Sequence, residues 1–119
     1  MSRHDDLAAL LDLDGECFRL EAGYWTKIEV RLVSPTSSVP HGIRYSLTLH
    51  DRSGRRILGF DNAHRVRSRV RSAARRIESD HRHDRSGVSS YAFESPGRLL
   101  NDFWAAVNEV ITSREGENT

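Results

Sequence analysis

Cysteine, lysine and long apolar runs are almost missing from this chain of 119 residues, and each shortage narrows what it can be. Cys17 stands alone, so no intramolecular disulfide can form and no cysteine-rich zinc centre can be built; a reducing cytoplasm fits. No apolar stretch approaches the roughly 20 residues that span a bilayer, and no basic-then-apolar leader opens the chain. The expectation is a soluble, cytoplasmic protein with no membrane partner. Lysine occurs once, at Lys27, while every other basic residue is arginine; gene base composition alone can produce that bias. There is no Walker-type loop, no Gly-x-Gly-x-x-Gly and no Gly-x-Ser-x-Gly elbow, which speaks against the common nucleotide folds and against Ser-His-Asp hydrolysis. Net charge is also nearly absent, with 18 basic against 17 acidic side chains.

The charges that are there are unevenly spread. Residues 1–24 carry two arginines against six acids, a net −4, and residues 98–119 a net −2. Residues 65–85 carry eight arginines against three acids, a net +5. The overall +1 argues against a nucleic-acid partner, whereas the local excess suits a phosphate backbone or an acidic protein surface. Mean hydropathy is low at −0.60, but two Trp, three Tyr and four Phe supply bulk for one core. At this length a single domain over 1–119 is expected, with 114–119 as a disordered polar tail.

Leu7, Leu10 and Leu11 follow i, i+3, i+4 spacing behind first-turn acids, predicting a short helix that stops near Gly15. Cys17, Phe18 and Leu20 lead through a Glu21-Ala22-Gly23 turn into a period-two strand over Trp25–Leu32. After a polar loop containing Pro35 and Pro40, Ile43, Tyr45, Leu47 and Leu49 alternate with Arg44, Ser46, Thr48 and His50. That strand turns at Asp51-Arg52-Ser53-Gly54 into another over Ile57–Phe60. Residues 65–77 fit a helical face or an alternating strand equally well. Tyr91–Glu94 reads as a further strand. Ser95 as N-cap and Pro96 open a helix whose apolar stripe, Leu99 to Ile111, runs to about residue 113. The expected fold is α+β: an antiparallel meander of about five strands packed against the C-terminal helix, with a short N-terminal helix. Tyr24 and Trp25 are neighbours, so one of them must point away from the core, placed to stack on a base or dock a partner.

Two polar clusters can carry chemistry: Asp61-Asn62-Ala63-His64 at a strand end, and Asp80-His81-Arg82-His83-Asp84 behind the arginine tract. In an extended chain His81 and His83 share a face about 6–7 Å apart; in a helix they diverge. Two imidazoles beside an arginine suffice for RNA cleavage without a metal or cofactor. One neutral His takes the 2′-hydroxyl proton, a protonated His gives a proton to the leaving 5′-oxygen, and Arg stabilises the phosphorane. His64, His81, His83 and Asp61 can also be drawn as a zinc ligand set, although their spacing is loose. The plain alternative is a polar loop next to a solvated arginine face.

Gly23-Tyr24-Trp25, Pro40 to Leu47, Gly59 to His64, Asp80-His81-Arg82-His83, Tyr91 to Ser95 and Leu99 to Trp104 together resemble the TumE-type family of toxin–antitoxin systems. The resemblance runs from about Gly15 to Ile111, and the order of the blocks is more specific than any one of them. It implies the toxin half of a type II module that acts in its own cytoplasm. Its partner would be a cognate antitoxin, a small DNA-binding protein encoded by a neighbouring gene. Asp61, Asn62, His64, Asp80, His81 and His83 are the matching positions it carries over. Ribonuclease activity is implied by analogy with toxins of this size. The combined expectation is a metal-independent endoribonuclease with RNA as substrate. His81 and His83 are its acid–base pair and His64 the third candidate, with Asp61 and Asp80 orienting imidazoles. Arg82 and Arg85 hold the scissile phosphate, Arg65, Arg67, Arg69 and Arg71 hold the RNA backbone, and Tyr45 is an outside candidate. The alternative is a non-catalytic module whose segment 65–85 binds nucleic acid or the antitoxin. A homodimer is compatible with either.

Overall fold

Alternation of apolar and polar side chains gives the central strands one dry face and one wet face. In the computed structural model, which describes residues 3–37, 39–62 and 80–117, these strands build one antiparallel sheet. Its members are β1 (Cys17–Arg19), β2 (Trp25–Leu32), β3 (Ile43–His50), β4 (Arg56–Asp61), β5 (His81–Asp84) and β6 (Gly87–Ser90), adjacent in chain order. The dry face carries Ile28, Val30, Ile43, Tyr45, Leu47, Leu49, Leu58 and Phe60, all buried. Helix α2 (Pro96–Glu117) lays Leu99, Phe103 and Val107 on it, and Phe103 meets Phe60 edge-on at 5.9 Å. Helix α1 (Arg3–Asp12) adds Leu10 to the same core. Asp6 of α1 lies where a Cβ on Gly97 would fall, which sets a carboxylate against the positive end of α2. Among the described residues no helix is long and apolar enough to cross a membrane.

The turns follow from their residues. Asp51 Oδ1 accepts hydrogen bonds from the backbone N–H of Ser53 at 3.0 Å and of Arg55 at 3.1 Å, closing the β3–β4 hairpin. Gly23 has φ +84° and packs so closely that a Cβ there would lie 2.6 Å from Cβ of Arg52. Ser95 caps α2, its Oγ accepting from the N–H of Arg98 at 3.1 Å.

The α+β meander and both helices stand as expected, with three corrections of detail. The sheet has six strands rather than five. Tyr91–Glu94 is not a strand: after β6 the chain leaves the ladder, and Tyr91 packs edge-on against Phe60 at 5.0 Å. The added strands are β5 and β6, joined by a tight turn at Arg85-Ser86. Finally, α2 continues past residue 113 to Glu117, so the expected tail from 114 is helical there. Tertiary contacts hold that last turn: Glu115 accepts from the Tyr24 hydroxyl at 2.6 Å, and Arg114 reaches Asp51 at 3.3 Å. Residues 65–77 lie outside the described residues.

Candidate active site

Cross-strand register sorts the functional side chains onto faces. Gly59 stands opposite His83 and Asp61 opposite His81, while Phe60 on the dry face stands opposite Arg82. His81, His83 and Asp61 therefore share the wet face. Both helices lie on the other side, and Lys27 and Glu29 keep 44% and 57% of their side chains exposed on the wet one. The His81 and His83 rings are 6.3 Å apart between centroids, as extended backbone requires. His83 Nε2 sits 3.1 Å from Asp61 Oδ2. That contact fixes the ring and makes Asp61 the group that stabilises an imidazolium at 83.

Gly59 does more than pair. Having no side chain, it leaves room in front of His83 for Arg56, whose Nη1 lies 3.4 Å from where a Cβ on Gly59 would be. Arg56 pairs with His50 after a register shift between Leu49 and His50, and this turns it onto the wet face. A groove of about 830 Å³ continues from there around the sheet end to the last turns of α2. Arg55, Arg56, Arg82, Arg85 and Arg114 line it together with His83, against the acids Asp84 and Glu109. Arg82 stacks over the Phe60 ring at 5.6 Å, and its Nε donates to Asp84 at 3.0 Å. Burial pushes the Asp84 carboxyl up, but hydrogen bonds from Ser86 and Arg82 together outweigh it and hold the group below its ordinary range.

Asp80 is elsewhere. It is buried on the helix-covered face, accepting from the Tyr45 hydroxyl at 2.6 Å and lying 3.1 Å from His41 Nε2. It thus orients an imidazole, but that of His41 rather than one of the His81/His83 pair. Phe93 covers His41 at 3.9 Å, and the Tyr91 N–H donates to the Asp80 carbonyl at 3.0 Å. Burial, then the bond to Asp80, drives the Tyr45 phenol far above its ordinary value, in keeping with the hydrogen bond its hydroxyl donates. Asn62 is buried beside this group. Its Oδ1 accepts from the Tyr45 N–H at 3.0 Å and its Nδ2 donates to the Ile43 carbonyl at 2.7 Å, extending the ladder where β4 ends.

His64, Arg65, Arg67, Arg69 and Arg71 lie outside the described residues. Among the described residues no three imidazole, thiol or carboxylate groups converge in metal-ligating geometry. Two residues escaped the sequence reading. Arg56 gave no signal, because only the register shift brings it to His83. His41 gave a faint one, sharing the i, i+2, i+4 face of Ile43 and Tyr45. Residues 15–111 match the family model described as Toxin TumE. No curated protein and no solved structure matches the chain.

Proposed function

The chain belongs to the TumE toxin family, and from that premise we propose that it is a metal-independent endoribonuclease acting in the cytoplasm. Membership implies a toxin of a toxin–antitoxin system, with an antitoxin as its partner. The observation that supports the enzymatic reading is the Asp61–His83 pair at 3.1 Å with His81 beside it, half-buried on an arginine-bordered surface. His83, neutral, takes the proton of a 2′-hydroxyl, and Asp61 stabilises the imidazolium that results. The 2′-oxygen attacks the adjacent phosphorus. His81, protonated, gives its proton to the departing 5′-oxygen, leaving a 2′,3′-cyclic phosphate and a 5′-hydroxyl. Arg56, reaching over Gly59, neutralises charge on the phosphorane oxygens, an effect worth most where donors are already in place. Arg82 and Arg85 hold flanking phosphates in the groove.

The test is cleavage of RNA by purified protein in EDTA. His83→Ala and His81→Ala are each expected to lose about 10²-fold or more in rate while still binding RNA. Growth arrest that survives loss of both histidines would overturn the reading.

A further inference from the structure

The wet sheet face has a second feature that the acid–base chemistry does not use. Trp25 and His50, cross-strand neighbours on β2 and β3, stack with ring centroids 4.0 Å apart and planes only 7° from parallel. The imidazole is held from both sides. Its Nδ1 lies 3.3 Å from the Gly54 carbonyl and its Nε2 3.0 Å from the Thr48 hydroxyl. The neutral ring satisfies both when Nδ1–H donates to the carbonyl and Nε2 accepts from the hydroxyl, which assigns the tautomer. Tyr24, by contrast, is buried. Of the two adjacent aromatics, Trp25 is the one turned outward, and it is fixed in place before any ligand arrives.

The strand order shows what surrounds it. With His50 on the β3 side, the other face of the indole looks toward β1, where its register partner is the exposed Arg19. The open indole face, with an arginine at the register position beside it, makes a stacking slot for a flat ring. The wet face around the slot carries Arg19, Lys27, Arg31, Arg44 and Arg56 against the acids Glu29 and Asp61. Among the described residues the large apolar side chains on this face are Trp25 and, on the edge strand, the exposed Val88, fewer than the apolar centre of a protein-binding patch of this extent would hold.

We propose that this slot binds a nucleobase of single-stranded RNA, so that the sheet face that neither described helix covers is the track on which substrate is laid. The slot and His83 are three strands and two residues apart, roughly 16 Å at ordinary strand spacing, a span of a few extended nucleotides. As a statement about substrate position this rests on the ribonuclease reading, although the binding it describes does not need cleavage.

The probe is a short 2′-O-methyl oligoribonucleotide, which lacks the nucleophile and so binds without being cut. The intact chain has two tryptophans, and Trp104 packs against Phe18 and Phe103. Quenching of emission on titration therefore reports Trp25. Trp25→Ala is expected to weaken binding about ten-fold and to abolish the quench, while Trp25→Phe, which keeps a stacking ring, retains most of the affinity. Arg19→Ala, at an exposed position, should weaken binding with no loss of thermal stability. Wild-type affinity in Trp25→Ala, or an undiminished quench in Trp25→Phe, overturns the slot. Retained oligonucleotide binding together with lost antitoxin binding in Trp25→Ala overturns it too, and makes the face a protein interface. If His83→Ala still cleaves RNA while Trp25→Ala has lost the oligonucleotide, the catalytic assignment falls and the slot stands.

Discussion

Replacing Asn62 by alanine removes one side chain and strands two backbone groups. The Tyr45 N–H and the Ile43 carbonyl are bonded to Asn62 at 3.0 and 2.7 Å, and both bonds are buried. Neither can turn to water without opening the sheet where β4 ends. An orphaned buried donor or acceptor costs about 1–3 kcal/mol, so Asn62→Ala should destabilise the fold by about 3 kcal/mol. With a urea m-value of about 1.5 kcal/mol/M, that moves the unfolding midpoint down by about 2 M. Asn62→Asp makes the reasoning sharper. It keeps the acceptor for Tyr45 but sets an ionised oxygen against the Ile43 carbonyl, so its folded pKa must rise above the unfolded value near 4. The variant should then match wild type at a pH below about 4, where a protonated carboxyl donates to that carbonyl, and fall behind as pH rises. Equilibrium urea unfolding across pH, read as the difference from wild type, measures both. A loss under about 1 kcal/mol in Asn62→Ala with unchanged m would refute the argument.

Three further outcomes are expected. Arg56→Ala should cut the RNA cleavage rate about 10²-fold without unfolding the protein, with Arg56→Lys intermediate, measured under single-turnover conditions. Gly23→Ala should cost more in thermal stability than Gly54→Ala: both glycines have positive φ, +84° and +89°, but only at Gly23 would the new Cβ collide, 2.6 Å from Arg52. The Asp51 carboxyl is held below its ordinary range, chiefly by the Ser53 hydroxyl and then by the Arg55 and Ser53 N–H groups. Its contribution is therefore full above about pH 4 and is lost as pH falls through the lowered value, so the gap between wild type and Asp51→Ala in urea should close below that pH.

How much of this could be read from residues alone depended on whether neighbours in sequence were neighbours in space. β2, β3 and β4 were legible because one face of each is covered and the other wet, which writes a period of two into the chain. β5 was not, since Arg82 and Asp84 face the groove rather than the core and its sequence, His-Arg-His-Asp, is polar throughout. Tyr91 and Phe93 misled for the opposite reason: two aromatics at i, i+2 look like a strand whether or not the backbone between them joins a ladder. The His81/His83 spacing was readable as soon as an extended chain was granted. Asp61 as partner of His83, and Asp80 as partner of His41 and Tyr45, depend on strand register, which no local pattern encodes. Arg56 depends on a register shift, one step further removed. The outward tryptophan was half legible; the sequence requires one of two aromatics to face out, and only the sheet decides which.

Transesterification of RNA by the paired imidazoles on the wet face is the proposed activity. The measurement that tests it most directly is the chemistry of the ends left after cleavage by purified protein in EDTA, determined by mass spectrometry. The expected products carry 2′,3′-cyclic phosphate and 5′-hydroxyl termini, with none formed by His83→Ala. Termini bearing 3′-hydroxyl and 5′-phosphate, or cleavage that proceeds undiminished in His83→Ala, would contradict that activity.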